Sequence, residues 1–339
     1  MGLRRSFINL VNGVLQKTRY RLIDKGNLYE WQTSHYRWPR YRKKELPEDI
    51  AGYLTWSNPR LVDLQNRYEH FNFLVTEPLV WTDEKLQSVD IQYFRGDNAY
   101  LWQLRGRNMH EMGYAISAYY TMSIDTLNLF DILSEDEWFG NFTFEVAKKT
   151  VSRDLLDSVN EICFLESQLA LSSRKDFSIV DIGAGYGRLA HRMTQAFPDL
   201  GHYYCTDAVA VSTFLCDFYL GFRGVSEKAS AVPLDEIEQV LTAGGVSLAV
   251  NVHSFSECRV SAIRWWLDLI ARSGIRYLMI VPNHYDARTG RLMTNDGHDI
   301  TRCVLDAGYR QMAVEPKYRD PLVQKYAINP GYYALFELQ

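Results

Sequence analysis

The apolar run FSIVDI at 177–182 passes straight into Gly183-Ala184-Gly185-Tyr186-Gly187 and then into a helical pattern. A short, wholly apolar run bounded by turn residues is what a strand buried on both faces leaves in a sequence. The alternation repeats down the chain: helix at about 187–197, strand HYYCTD, helix 208–220, a short strand near 222–227, helix 233–242, strand VSLAVNV, helix 257–273 and strand IRYLMIV. A last helix, 298–307, meets Gly308, the residue type that closes helices in the left-handed conformation. The runs YRQMAVE and GYYALFEL follow, joined by a Pro-containing link with no helix, which predicts an antiparallel pair at one edge. Strands alternating with helices of this length predict an α/β fold: a Rossmann-like doubly wound sheet over residues 151–339.

Residues 1–150 have a different texture and are read as a mainly helical cap with a basic N-terminal arm. The stretch 31–50 is polar, aromatic and broken by Pro39 and Pro47, as loops are. Asn58 followed by Pro59 marks a helix start, and Leu61, Leu64, Tyr68 and Phe71 then fall on one helical face. Residues 90–104 hold a Gly-Asp-Asn turn among aromatics, and 109–133 look helical in one or two pieces. An amphipathic helix from Ser152 to about Leu169 leads into the sheet domain.

The spacing of the glycines narrows the ligand. They stand at 183, 185 and 187, with Asp181 two residues before the first. A dinucleotide loop of the form GxGxxG would need glycine where this chain has Arg188. Asp207 ends the second strand run, where an acid accepts hydrogen bonds from vicinal ribose hydroxyls. This DxGxGxG arrangement resembles the first motif of class I S-adenosylmethionine-dependent methyltransferases, and the two terminal strand runs look like the edge of that family's sheet. The resemblance implies S-adenosylmethionine, not NAD, as cofactor. It places Asp181, Gly183, Ala184, Gly185, Tyr186 and Gly187 beside the methionine part, Asp207 at the ribose, Ser230 and Ala231 near the adenine, and Asn251 at the cofactor.

The fourth strand run opens into Asn251-Val252-His253-Ser254-Phe255-Ser256-Glu257, which in that family faces the transferable methyl group. The Asn/Asp-Pro-Pro-aromatic sequence of the base amino-methyltransferases is absent. Transfer to an alcohol requires loss of the hydroxyl proton, and histidine is suited to take it near neutral pH. His253 is the candidate base, with Glu257 orienting it or receiving an acceptor hydroxyl and Ser254 contacting the acceptor. After the fifth strand, Pro282-Asn283-His284-Tyr285-Asp286 offers His284 as a rival base and Asn283 and Tyr285 as acceptor contacts. Asp296, His298 and Asp299 are the nearest approach to a metal set, and no metal is expected.

Five segments extend the resemblance: SNPRLVDLQNRY, YFRGDNAYLWQ, VSRDLLDSVNEICFLE, VDIGAGYGRLA and NVHSFSE, in that order over about residues 55–260. Together they resemble the sugar O-methyltransferases associated with polysaccharide biosynthesis. That resemblance implies transfer to a hydroxyl of a mono-, oligo- or polysaccharide, possible types being mannose and rhamnose, and assigns Arg153 to the cofactor and Asp157 to the acceptor. The alternatives are a small-molecule O-methyltransferase of a natural-product pathway, or a non-catalytic protein that keeps the fold and binds nucleic acid.

Charge is uneven. Residues 1–50 hold eleven Lys and Arg against five acids, +6, leaving −10 for the rest of a chain of net charge −4. Such an arm is expected to meet solvent, phosphate or an anionic membrane surface. Nucleic acid is not expected as a partner; a sugar substrate and a homodimer are. Five cysteines without short metal-type spacing suit a reducing compartment, and a cytoplasmic location is expected. No apolar run approaches the roughly 18 residues of a membrane span.

Overall fold

The computed structural model describes residues 44–98 and 100–339, together with Val11. Most of the basic arm, and with it the expected phosphate or membrane contact, lies outside the described residues. Before the sheet come helices α1 (Glu48–Tyr53), α2 (Pro59–Glu69), α3 (Phe73–Thr76), α4 (Asp83–Gln87), α5 (Glu111–Ile124) and α6 (Leu129–Ile132). The small hairpin β1 (Phe144–Val146) and β2 (Lys149–Val151) then leads into helix α7 (Arg153–Leu169). Asn58 caps α2 by accepting the Arg60 N–H at 2.9 Å, with Pro59 at the first helical position. Leu61, Leu64 and Tyr68 are buried along its inner face.

The chain continues as β3 (Ser178–Ile182), α8 (Arg188–Ala196), β4 (Tyr203–Thr206), α9 (Ala210–Phe222), β5 (Ala229–Ala231), α10 (Ile237–Thr242) and β6 (Val246–Val252). Next are α11 (Ser254–Glu257), α12 (Val260–Arg272), β7 (Tyr277–Val281), and a hairpin of β8 (His284–Asp286) and β9 (Arg291–Met293). Helix α13 (Ile300–Asp306), β10 (Tyr309–Pro316), α14 (Pro321–Tyr326) and β11 (Tyr332–Leu338) complete it. The main sheet has the order β10-β11-β7-β6-β3-β4-β5. Strands β5, β4, β3, β6 and β7 run parallel. Strand β11 is inserted antiparallel between β7 and β10. This is a Rossmann-like α/β fold with a mostly parallel sheet.

Burial on both faces explains the continuous apolar runs. Val180 and Ile182 enter one core with Phe214, Ile263 and Trp266, while Ile179, the residue before Val180, enters another with Leu155, Val159 and Met193. Side chains alternate across a strand, so a sheet covered by helices on both sides needs apolar residues at successive positions.

Three details depart from the sequence reading. The third parallel strand is Ala229–Ala231, not 222–227: ASA is too short and too small in side chains to stand out, and Gly224 at φ +67° turns the preceding segment. The final pair of strands is separated by α14, a short helix started by Pro321. The stretch after β7, which carries no strand signal in the sequence, folds as the β8–β9 hairpin.

Helix α7 is buried almost all round, so its polar positions need partners. Ser152 caps it by accepting the Leu155 N–H at 3.0 Å. The fully buried Arg95 binds Asp154 Oδ2 at 2.7 Å, Glu135 Oε1 at 2.7 Å and Asp136 Oδ1 at 2.8 Å. Arg192 of α8 binds Glu135 Oε2 at 3.1 Å, and Arg188 makes a two-pronged contact with Glu161, both bonds at 2.9 Å. This network joins the segment around Arg95 to α7 and to the first helix after the glycine loop. Among the described residues no helix is long and apolar enough to cross a membrane.

Candidate active site

The strand order reverses between β3 and β6, so the connections leaving their C-terminal ends diverge and open a crevice there. A cavity of about 670 Å³ occupies it. Its lining includes Asp181, Gly183, Ala184, Gly185, Tyr186, Arg188, Asp207, His253, Ser254, Glu257, Asn283 and Arg153.

The loop after β3 is shaped by its glycines. Gly183 sits at φ +77°, and a Cβ there would lie 2.1 Å from Ser254 Oγ. The left-handed backbone and the absent side chain are therefore both required at this point. The Gly183 and Ala184 amides donate to Thr206 O at 2.8 and 3.1 Å, which seats the loop on the end of β4. The Gly185 amide donates to Asp207 Oδ2 at 3.0 Å, and the Val209 amide to Asp207 Oδ1 at 2.9 Å. A carboxylate offers about four lone-pair positions, and the Ser212 side chain is a third partner, so one of Asp207's remains for a ligand. Burial pushes the Asp207 carboxyl up to about 7, against the pull of those two amide bonds.

Asp181 accepts the Tyr203 hydroxyl at 3.0 Å, and its Oδ1 has no partner among the described residues. Burial pushes it up to about 7 as well. The sign of its effect follows. Between about pH 4 and 7 the folded chain holds a proton that the unfolded chain has lost, so this carboxyl's contribution to stability falls as pH rises through 7. Asp181→Asn is expected to gain stability relative to the parent from pH 5 to pH 8, by on the order of 2–4 kcal/mol. Urea unfolding of both proteins across that range measures the difference; a flat difference would remove burial as the cause.

Asn251 is held by the fold rather than presented to the cavity. Its amide donates to Ile182 O at 2.8 Å and Ser254 Oγ at 2.5 Å, and its oxygen accepts the Phe255 N–H at 3.0 Å. It ties β6 to β3 and is fully buried. Ser254 reaches the cavity, but its proton goes to Ile182 O at 2.9 Å, so it offers a ligand only an acceptor.

His253 follows β6 at φ +69°, ψ −32°, an unusual backbone for a residue with a Cβ. Its amide donates to Val281 O at 2.7 Å, which helps hold that turn. Nδ1 is without a partner among the described residues. Burial, reinforced by the positive charges of Arg153 and Arg188, drives the imidazole down to about 3. It is neutral at neutral pH, with a free ring nitrogen. Glu257 does not orient it. That carboxylate receives the Trp81 indole N–H at 2.7 Å and the Asn283 amide at 3.1 Å.

Several predicted residues are not brought to the cavity. His284 is exposed at the start of β8 and lies off the cavity wall, which removes the rival base. Tyr285 packs its ring on Tyr332, centroids 4.1 Å apart, because β8 belongs to an outlying hairpin. Ser230 meets His202 Nε2 at 2.9 Å, and neither it nor Ala231 lines the cavity. Residues 208–211, directly after Asp207, line it instead. Asp157 is buried between Lys317 and Arg153, whose Nε donates to it at 3.1 Å, and so sits behind the wall. Among the described residues no three His, Cys, Asp or Glu side chains converge as a metal set.

The sequence reading missed the residues that close the cavity. Trp56, Trp81, Tyr100, Trp102 and Arg105 line it. Asp97 shapes the segment 100–105, a strap along the cavity, by accepting the Gln103 and Leu104 amides at 2.7 and 2.9 Å, and Asn98 accepts the Tyr100 amide at 3.0 Å. Tyr100 thereby lies beside Gly185, and its hydroxyl meets Ser212 Oγ at 3.2 Å. The Trp81 and Tyr100 rings are 5.2 Å apart. Arg153 holds the strap from below through the Trp102 carbonyl. The available signal was YFRGDNAYLWQ itself, an aromatic-rich turn whose Asp and Asn serve the backbone.

Neither a protein-family profile nor a curated protein matches this sequence. Solved structures do match over about half of it. One is an S-adenosylmethionine-dependent methyltransferase from Aquifex aeolicus: TM-score 0.38, 14% identity, 51% of this chain and 89% of that one. Another is geranyl diphosphate methyltransferase in complex with S-adenosylmethionine: TM-score 0.40, 13% identity, 55% and 86%. A third is mitomycin 7-O-methyltransferase: TM-score 0.36, 16% identity, 55% and 57%. The functional reading therefore rests on the cavity.

Proposed function

We propose that this protein is an S-adenosylmethionine-dependent O-methyltransferase whose acceptor is a sugar hydroxyl. The observation that carries the reading is one cavity with two chemically different walls. One wall is the glycine loop with Asp181 and Asp207, where Tyr100 lies beside Gly185; the other is aromatic and polar, built from Trp81, Trp102, Glu257 and Asn283. The first wall fits the cofactor. It has a close-approach loop that a Cβ at Gly183 would disrupt, and a carboxylate with acceptor capacity left beyond its protein partners. Asp207 would take a ribose hydroxyl, the glycine loop the methionine part, and residues 208–211 the adenine side. When bound, the cofactor supplies a methyl group on a sulfonium sulfur, open to displacement by oxygen.

The second wall suits a sugar, whose ring carbons pack on aromatic faces while its hydroxyls need acceptors and donors. Glu257, fixed by Trp81 and Asn283, is placed to accept an acceptor hydroxyl. His253 would take the proton of an acceptor hydroxyl whose oxygen receives the methyl group the cofactor supplies. An alcohol oxygen becomes strongly acidic only as it is alkylated, so a neutral imidazole of depressed pKa suffices for that late transfer. Holding the reactants in line in a closed site supplies much of the rate. Another small-molecule hydroxyl is the second reading, favoured by the same aromatic rings, which would also hold a planar ring.

The test incubates the protein with methyl-labelled cofactor and a panel of neutral sugars, oligosaccharides and phenols, followed by mass spectrometry. A gain of one methyl on a sugar is expected. Methylation of phenols with every sugar silent would overturn the sugar assignment and leave the methyltransferase one standing.

A further inference from the structure

A second cavity, of about 450 Å³, shares no lining residue with the first. That is within the usual range for small-ligand sites, about 300–1,000 Å³. Its walls include Tyr120 of α5, Asn160 and Phe164 of α7, Lys317 and Arg319 after β10, and Tyr333 of β11.

The charged groups around it are already matched within the protein. Lys317 is paired with Asp157, Arg319 with Glu315 at 2.6 Å, and Glu166 accepts the Ser172 amide at 2.8 Å. What remains unsatisfied is neutral. Asn160 is 1% exposed, and its amide nitrogen donates to Leu156 O at 2.8 Å and Thr121 Oγ1 at 2.7 Å. A carbonyl can only accept, so Leu156 fixes which way the Asn160 amide faces. Asn160 Oδ1 is left without a partner among the described residues. A buried acceptor left unpaired is destabilising, and a ligand donor would relieve it. The Tyr120 hydroxyl accepts the Arg319 amide at 2.9 Å, which keeps its own proton free to donate. The Phe164 and Tyr333 rings, centroids 5.0 Å apart, supply apolar faces.

We propose that this cavity is a second ligand site, for a neutral polyhydroxylated ring such as a sugar unit. Asn160 Oδ1 receives one hydroxyl, Tyr120 donates to another oxygen, and the Phe164 and Tyr333 rings cover the ring carbons. Phosphorylated sugars are excluded, because Lys317 and Arg319 are already neutralised by their own carboxylates. The proposal does not depend on the activity assigned to the first cavity.

The experiment is photolabelling of the full chain with a methyl α-mannoside that carries a small alkyl diazirine, mapped by peptide mass spectrometry. Labels are expected within 120–126, 160–167 and 315–319. Excess methyl α-mannoside should reduce them at least fivefold, and mannose 6-phosphate should not. Asn160→Leu should reduce them by a similar factor; if that variant fails to fold, Cys163→Trp, which fills the cavity, takes its place. Labels at these peptides without any near Trp81 or Glu257 would keep this proposal and count against a sugar acceptor. Labels only near Trp81 or Glu257, labels that methyl α-mannoside does not compete, or labels unchanged in the folded variant would overturn it.

Discussion

Replacing Arg95 by Met is expected to cost about 3–5 kcal/mol of unfolding free energy, the usual penalty for breaking a buried ion network from one side. Arg95 is fully buried and touches three carboxylates, of which Glu135 and Asp154 are themselves buried. Arg192 and Arg223 keep contact with Glu135 and Asp136, but Asp154 loses its two closest bonds. Arg95 and the other arginines hold the Asp154 carboxyl below the ordinary carboxylate range despite its burial. Urea unfolding at pH 7 measures the loss. Adding Asp154→Leu should restore part of it, since the stranded charge is then removed. A loss under about 1 kcal/mol would mean that the network contributes little and the fold is held by its apolar cores alone.

His253→Asn is expected to lower kcat on the order of 10²-fold or more, the usual worth of a positioned base, with cofactor affinity nearly unchanged. Asparagine tolerates the left-handed backbone at this position better than most residues, so the effect reports the imidazole and not the turn. Because burial and two neighbouring arginines hold the imidazole near 3, His253 should add no acidic limb to kcat between pH 5 and 8, and any limb near 7, where Asp181 and Asp207 titrate, should persist in His253→Asn. An ordinary histidine would give an acidic limb near 6.5. Such a limb, if His253→Asn abolishes it, would contradict the depressed imidazole. His284→Ala, an exposed site off the cavity, should leave kcat as it is, whereas Glu257→Gln should act mainly on the acceptor KM. Full activity in His253→Asn would show that positioning alone drives the transfer.

The parts of the fold that sequence revealed are those with a local physical signature. The cap at Asn58 and Pro59, the buried strand runs and the left-handed Gly308 each leave a mark within a few residues. Strand β5 left none, since Ala229-Ser230-Ala231 is defined by pairing with Tyr203 to Cys205 and not by its own side chains. The assignment of Ser230 and Ala231 failed with it. Asn251 illustrates a different limit: its position at the end of β6 was legible, but its bonds to Ile182, Ser254 and Phe255 depend on a neighbouring strand and the next turn. The partnership of Arg95 with Asp154 spans 59 residues, and that of Trp81 with Glu257 spans 176, so no periodicity records either. The glycine loop and Asp207 were legible because a backbone that must turn tightly and approach a ligand permits few sequences.

The central claim is that the cavity at the β3–β6 crevice holds an adenosylmethionine cofactor. Titration calorimetry on the full chain tests it most directly, with S-adenosylmethionine, S-adenosylhomocysteine and NAD as separate ligands. Both adenosyl sulfur compounds are expected to bind, Asp207→Ala to weaken each by a few kcal/mol at most, and NAD to give no heat. Binding of NAD with both adenosyl sulfur compounds silent would contradict it.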